Sequence, residues 1–148
     1  GGGAAVSLSY GGAVVPKGDR FAPESMAVVR MSGFPRDAGV GMGMSARAHG
    51  GPDGVDVSFT PDLCIGEMNR DFLAQVCGGM SVVSLSYRNE VLHWGALSPV
   101  VEPSFGFPLA KGDGGALFVS APVGYDYRYG GQSGWYAGLT VGFGAFGD

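Results

Sequence analysis

Apolar and small or polar side chains alternate almost without interruption along the last thirty residues of the chain. In residues 117–129 one parity is aliphatic and then tyrosine, whereas the other is mainly small or charged. After a glycine-rich turn at 130–134, the alternation resumes from Trp135 to Ala145. A period of two indicates β-strands, because successive side chains point to opposite faces of a sheet. Strands that are apolar on one face for about ten residues are typical of a membrane-spanning β-barrel.

The composition points in the same direction. Glycine accounts for 29 of the 148 residues, and charged residues for only 15%, against about 25% in ordinary soluble domains. A soluble sheet normally shows water a face rich in charge, and this chain has few charges for such a face. No apolar run is long enough for a transmembrane helix. The net charge of −4 argues against nucleic-acid binding, which requires a basic surface.

Turn signals divide the chain, which we expect to be one domain of residues 1–148, into eight candidate strands and no convincing helix. The strands are Ala5–Val15, Met26–Phe34, Val40–Ala48, Val55–Ile65, Phe72–Arg88, Leu92–Leu109, Leu117–Tyr129 and Trp135–Ala145. Between the first two, Pro16–Glu24 is expected to form a long polar loop. We expect a bulge at Gly78–Gly79, and a change of parity near Gly95–Leu97 indicates a second bulge or a break between two short strands.

Eight antiparallel strands of this length suffice to close a barrel that is filled by its own side chains. In this pattern the chain resembles the small eight-stranded outer-membrane β-barrel proteins of Gram-negative bacteria, over most of its length. The resemblance implies an all-β, antiparallel up-and-down barrel in the bacterial outer membrane, with both termini in the periplasm. It also implies contact with membrane lipid, and other envelope proteins or subunits of a membrane assembly as candidate partners.

Aromatic residues collect at both ends of the candidate strands, as the two interfacial girdles of such a barrel would require. Those at the expected outer end are Tyr87, Trp94, Tyr125, Tyr127, Tyr129, Trp135 and Tyr136, and those at the inner end are Phe105, Phe107, Phe143 and Phe146. The alternative is that aromatic residues simply favour strands.

Four charged residues fall on the parity that would face the lumen. They are Arg88, Glu102, Asp126 and Arg128. Because a buried charge must be paired, we expect an internal ion-pair network rather than a path for ions.

The only two cysteines are Cys64 and Cys77, and they flank a candidate hairpin at 66–71. Facing positions across a hairpin allow a disulfide, which would suit an envelope or secreted protein. The alternative is a pair of unpaired, buried thiols. Their spacing fits no zinc or redox motif.

Neither histidine has the sequence context of a catalytic group. His93 has Glu90 and Ser98 nearby, and His49 lies beside two glycines, but no nucleophile-elbow motif is present. Asp113 begins a fragment that resembles a calcium loop, yet one acid cannot supply the ligands that calcium needs. We therefore predict no catalytic residues, no metal and no cofactor.

The sequence favours a non-enzymatic barrel that acts as a structural, adhesive or complex-associated scaffold through its loops. One alternative is a soluble, secreted β-sandwich that forms fibres or shells, since Pro61, Pro99, Pro103 and Pro122 lie inside candidate strands, where proline removes a hydrogen-bond donor that lipid cannot replace. The other is a lipid-modifying barrel enzyme, for which no catalytic residues can be named.

Overall fold

Antiparallel β-strands account for nearly all of the structure, a computed structural model that describes residues 2–35, 39–109, 115–129 and 133–147. Within those ranges the strands are β1 (Gly3–Lys17), β2 (Arg20–Phe34), β3 (Val40–Gly51), β4 (Gly54–Met68), β5 (Leu73–Ser81), β6 (Val83–Arg88), β7 (Val91–Gly95), β8 (Ser98–Pro108), β9 (Gly115–Ser120), β10 (Val123–Asp126) and β11 (Gly134–Gly147). The described residues contain no helix long and apolar enough to span a membrane.

The strand pairings close into a ring. β1 pairs with β2 on one side and with β11 on the other, so the first and last strands are neighbours. From β2 the ring continues through β3 and β4 to β5 and β6, which both pair with β4. It returns through β7 and β8, and then through β9 and β10, which both pair with β11. β5 and β6 are two parts of one interrupted strand, as are β7 and β8, and β9 and β10. Each interrupted strand counts as one stave of the barrel wall, as does each continuous strand, so the described strands make an eight-staved, up-and-down barrel.

The two ends of the barrel differ in what they carry. One end, here called the mouth, has the β1–β2, β3–β4 and β6–β7 turns. The other, here called the terminal end, has Gly3, Gly147 and the β4–β5 turn. The β6–β7 turn is tight because Asn89 and Glu90 both adopt positive φ, at 52° and 66°, as a two-residue hairpin turn requires.

Large apolar side chains point outwards all round the ring. Leu8 on β1 is 62% exposed, Met42 on β3 is 70% exposed and Ile65 on β4 is 67% exposed. On β11, Phe143 is 66% exposed. The inward parity of the same strands is buried and mainly polar, as in Ser7, Ser45, Thr60 and Thr140. This inverted arrangement excludes the soluble sandwich, whose apolar faces would meet in a core.

An apolar layer closes the lumen near the terminal end. It contains Ala5, Phe34, Cys64, Met68, Leu73, Cys77, Ala116 and Phe118, with Phe146 packed against it. The structure has a disulfide between Cys64 and Cys77, which face each other on β4 and β5 inside this layer. A second apolar cluster, Ala13, Val15, Met26, Val28, Val100 and Tyr136, lies nearer the mouth.

Three details of the sequence analysis are corrected. The expected long loop at Pro16–Glu24 is wrong, because β1 continues to Lys17 and β2 begins at Arg20, leaving a two-residue turn. The break in the fifth candidate strand falls at Val82 rather than at Gly78–Gly79, which pair regularly with β8. The seventh candidate strand is interrupted after Ser120 at Ala121–Pro122, where proline removes a backbone donor.

Other details agree with the prediction. The parity change near Gly95–Leu97 marks a real break between β7 and β8, where Leu97 adopts a φ of 56°. Pro61, Pro99 and Pro103 lie inside strands and point outwards.

Candidate functional site

The inner face of the barrel carries two layers of ion pairs, one at mid-height and one at the mouth. Both arise because every second residue of a strand points into the lumen, which is narrow enough for side chains to fill. Charges in such a space require partners, because an unpaired buried charge costs several kcal/mol.

The mid-lumen network is centred on Arg30 of β2. Its Nη1 and Nη2 atoms donate to the two carboxylate oxygens of Asp62 at 3.2 and 2.8 Å, and its Nε atom donates to Glu102 at 2.6 Å. Arg47 lies 3.7 Å from the other oxygen of Glu102 and donates to Thr60 at 2.8 Å. Two cations thus face two carboxylates, and their side chains fill the middle of the lumen.

The mouth network is larger and links six staves. It comprises Lys17, Glu24, His49, Asp53, Asp56, Arg88, Asp126 and Arg128. Arg88 donates to Glu24, to Asp53 at 2.7 Å and to Asp56 at 2.8 Å. Arg128 donates to Asp56 and, at 3.1 Å, to Asp126.

His49 lies at the centre of the mouth network. Its Nδ1 atom is 2.8 Å from Glu24 on β2, and its Nε2 atom is 3.0 Å from Asp126 on β10. The imidazole also packs against the ring of Tyr136, with 5.3 Å between the ring centroids.

Asp53 is the member of this network that belongs to a turn, between β3 and β4. It accepts hydrogen bonds from Lys17 at 2.7 Å and from Arg88 at 2.7 Å. The Lys17 hydrogen bond, opposed by a smaller desolvation effect and reinforced by Arg88, lowers the pKa of the Asp53 carboxyl below its ordinary value.

A cavity of about 270 Å³ opens at the mouth above this network. It is lined by polar groups from several staves, including Asp56, Ser86, Arg88, His93 and Arg128. The Oδ1 atom of Asp56 is buried and has no hydrogen-bond partner among the described residues.

Three side chains at the mouth have the ligand types of a metal site. Oxygen and nitrogen atoms of His49, Asp56 and Asp126 lie within 4.8 Å of one another. However, Arg88 and Arg128 both donate to the Oδ2 atom of Asp56, and they already supply the positive charge that a metal ion would bring. We therefore treat this group as part of the ion-pair network and assign no metal to it.

The structure brings three of the four sequence-predicted lumen charges together. Arg88, Asp126 and Arg128 meet at the mouth through Asp56. Glu102 belongs to the separate mid-lumen network. Sequence reasoning missed Glu24 because it assigned that residue to a loop. It also overlooked Arg47 and Asp62, although both fall on the inward parity of their strands.

The predicted girdle residues lie on the outer face. At the mouth, Tyr87, Trp94, Tyr127, Tyr129 and Trp135 are exposed, and Tyr125 packs edge-on against Trp135. Near the terminal end, Phe105, Phe107 and Phe143 are exposed. Tyr136, also expected at the outer end, instead points into the lumen and is 4% exposed.

Comparisons of the fold identify similar solved structures. Neisserial surface protein A (NspA) superposes with a TM-score of 0.73 at 7% sequence identity, over 96% of each chain. The attachment invasion locus protein Ail of Yersinia pestis superposes with TM-scores of 0.57 alone and 0.56 in complex with the heparin analogue sucrose octasulfate. The identities are 11% and 10%, over 99% of each chain. No protein-family model and no curated protein sequence matches the chain. The chain has the fold of small eight-stranded outer-membrane β-barrel proteins.

Proposed function

We propose that this chain is a non-enzymatic protein of the bacterial outer membrane, a closed barrel that serves as a structural or adhesive scaffold through its mouth end. The observation that carries the proposal is the inverted distribution of side chains. A continuous apolar wall surrounds a lumen whose charges are bonded to one another. Such a wall is stable only against lipid or detergent, and the likeness to outer-membrane barrels supports that location.

The lumen chemistry supports the non-enzymatic role. Catalysis by a histidine requires a nucleophile or substrate within hydrogen-bond reach of an imidazole nitrogen. Both nitrogens of His49 are occupied by carboxylates, and no described serine, threonine or cysteine hydrogen-bonds to either imidazole. The ion pairs at the mouth therefore serve to hold the staves together.

Recognition by the scaffold would fall to a small surface. The β1–β2, β3–β4 and β6–β7 connections have two residues each, so among the described residues the turns and the aromatic rim are the parts available to a partner. Residues 130–132 of the turn expected at 130–134 lie outside the described residues. Outer-leaflet lipid or another envelope protein could occupy that rim. The sulfated ligand of Ail does not indicate a sulfated ligand for this chain. The described exposed residues at the mouth include Asp19 and Glu90 beside Arg20 and do not form a basic patch.

Folding in detergent micelles tests the barrel and its need for an apolar surrounding. We expect the protein to require detergent for solubility and to migrate differently on a denaturing gel when unheated and when boiled. A protein that is soluble and monomeric in plain buffer, with no heat-dependent shift, would contradict the proposal.

Cysteine labelling on intact Gram-negative cells tests the location and the orientation. Asp19→Cys places an exposed thiol at the mouth, and Arg70→Cys places one at the terminal end. We expect a membrane-impermeant thiol reagent to label Asp19→Cys only, with both variants labelled after lysis. Labelling of Arg70→Cys alone on intact cells would reverse the orientation, and labelling of neither would argue against surface exposure.

A further inference from the structure

The contacts of His49 favour one protonation state, the imidazolium form. Each ring nitrogen lies within hydrogen-bond distance of a carboxylate oxygen, at 2.8 Å from Glu24 and 3.0 Å from Asp126. The Nη2 atom of Arg88 also lies near Nδ1, at 3.4 Å, but this contact is longer than either carboxylate contact. A neutral imidazole has one N–H donor and one bare nitrogen, so it can donate to only one of these acceptors. The imidazolium form donates to both.

The surrounding charges fit the same state. The groups that face the imidazole are Glu24 from β2, Asp56 from β4, Arg88 from β6, and Asp126 and Arg128 from the end of β10 and the residues after it, with the Tyr136 ring from β11 beside it. Lys17 from β1 and Asp53 from the β3–β4 turn complete the network through Glu24 and Arg88. Four carboxylates then face three permanent cations, and a protonated His49 supplies the fourth positive charge.

We infer that protonated His49 bridges β2 and β10 across the lumen and that this His49 bridge holds the mouth of the barrel closed. When the imidazole releases its proton to solvent, one of its nitrogens becomes a bare lone pair facing a carboxylate. That contact turns from attractive to repulsive, and the mouth network is left with one excess negative charge. The stave that carries Asp126 then separates from β3, and the mouth cavity widens.

The direction of the pH effect follows from the sign of the linkage. The His49 bridge contributes stability at pH values where His49 is protonated. This contribution is lost as the pH rises and His49 loses its proton in the folded protein. Alkaline pH should therefore loosen the mouth, whereas mild acid should leave it closed.

The protonation state is directly measurable by nitrogen NMR of ¹⁵N-histidine protein folded in micelles. The His93→Gln variant leaves His49 as the only imidazole in the chain. We expect both ring nitrogens to be protonated at neutral pH and one of them to lose its proton at alkaline pH. A neutral ring at neutral pH would overturn the inference, and this result does not depend on any substitution in the network.

The stabilising effect is tested by comparing His49→Gln with His93→Gln. A glutamine amide can donate to only one of the two acceptors at a time in this geometry, so one charged hydrogen bond is lost. We expect the folded-to-unfolded ratio of His49→Gln at neutral pH to fall by at least about tenfold and to vary little on alkalinisation. His93→Gln should keep the alkaline loss of the unmodified protein. An equal alkaline loss in both variants would overturn the inference.

Opening of the mouth is tested with a thiol at Ser86, which is buried and lines the mouth cavity. The reference is Asn89→Cys in the neighbouring exposed turn. We expect the labelling rate of Ser86→Cys, relative to Asn89→Cys, to rise severalfold from neutral to alkaline pH. The rise should disappear when His49→Gln is added, which removes the effect of thiol ionisation from the comparison. A rise of the same size in both backgrounds would show that His49 does not control the mouth.

Discussion

At the scale of single residues, Arg30 is the cation at the centre of the mid-lumen network. It binds Asp62 with two hydrogen bonds and Glu102 with a third, and its side chain is 3% exposed. Arg30→Met should destabilise the barrel by about 3–5 kcal/mol, because two carboxylates are left buried without their main partner. Urea unfolding in lipid vesicles, followed by tryptophan fluorescence, measures this loss. The exposed Arg20→Met variant should change stability by no more than about 0.5 kcal/mol.

If the cost arises from unpaired charge, removing the charge should restore stability. Asp62→Asn in the Arg30→Met background should recover part of the loss, because Asp62 then carries no unpaired charge and Glu102 keeps Arg47 as its counter-charge. A double variant no more stable than Arg30→Met alone would show that packing, rather than charge, accounts for the effect.

Asp53 provides a pH dependence outside the membrane-spanning part of the barrel. Its lowered folded-state pKa means that its stabilising contribution is present above the ordinary value of 3.8 and is lost as the pH falls below it. Lys17→Met should move the pKa of Asp53 back towards 3.8, incompletely because Arg88 still donates. Carbon NMR titration of the carboxyl group measures the shift. An unchanged titration in Lys17→Met, or an equal change in Arg20→Met, would contradict the assignment to Lys17.

The sequence allowed only part of the candidate site to be predicted at this scale. Arg88, Asp126 and Arg128 were found because their strands alternate clearly. Glu24 was missed because prolines and charges around it resemble a loop, although they continue a strand whose inward parity is polar. The central role of His49 depends on Asp126, which is 77 positions away in the chain, and no local pattern reports such a contact.

At the scale of strands, inward glycines make room for the few large side chains inside the barrel. A Cβ atom at Gly124 on β10 would lie 2.6 Å from the Tyr136 hydroxyl on the neighbouring strand, and one at Gly106 would lie 3.0 Å from the Phe118 ring. A lumen of this width accommodates an aromatic ring only where the facing position has no side chain. Glycine at these two positions thus has a packing cause that composition alone does not reveal.

Gly124→Val tests this packing. We expect a loss of about 1–3 kcal/mol in the free energy of unfolding, because the new side chain collides with Tyr136. Tyr136→Leu should restore part of that loss when combined with it. Gly33→Val is the matched control, since it makes the same substitution where the Cβ would meet its nearest neighbour at an ordinary 3.8 Å. Equal losses in both glycine variants would indicate a backbone effect instead of a collision.

Strand positions were predicted better than strand interruptions. Alternation shows that a segment is extended and which side chains share a face, and it correctly located the change of parity before β8. It did not locate the break at Val82, because Val82 and Val83 are both apolar and both exposed, and the glycines nearby were a stronger local signal. Breaks of this kind depend on which partner strand is available, and β5 and β6 share β4 while facing different strands on their other side.

At the scale of the whole molecule, the barrel is closed at two levels. The mid-lumen ion pairs fill one cross-section, and the apolar layer around Phe118 and Leu73 fills another near the terminal end. An ion crossing the lumen would have to displace bonded arginines and then pass through the packed apolar layer. Each step carries a large desolvation cost.

The protein in a planar lipid bilayer should therefore give no steady unitary currents. Leu73→Ala with Phe118→Ala removes bulk from the apolar layer, and we expect it to remain non-conducting because Arg30, Asp62 and Glu102 still fill the lumen above it. Each preparation should first show the heat-dependent gel shift, so that an absence of current is measured on a folded barrel. Steady currents from the unmodified, folded protein would show that the ion pairs leave a continuous path. Currents from the double variant alone would place the barrier in the apolar layer and reduce the arginine network to a stabilising role.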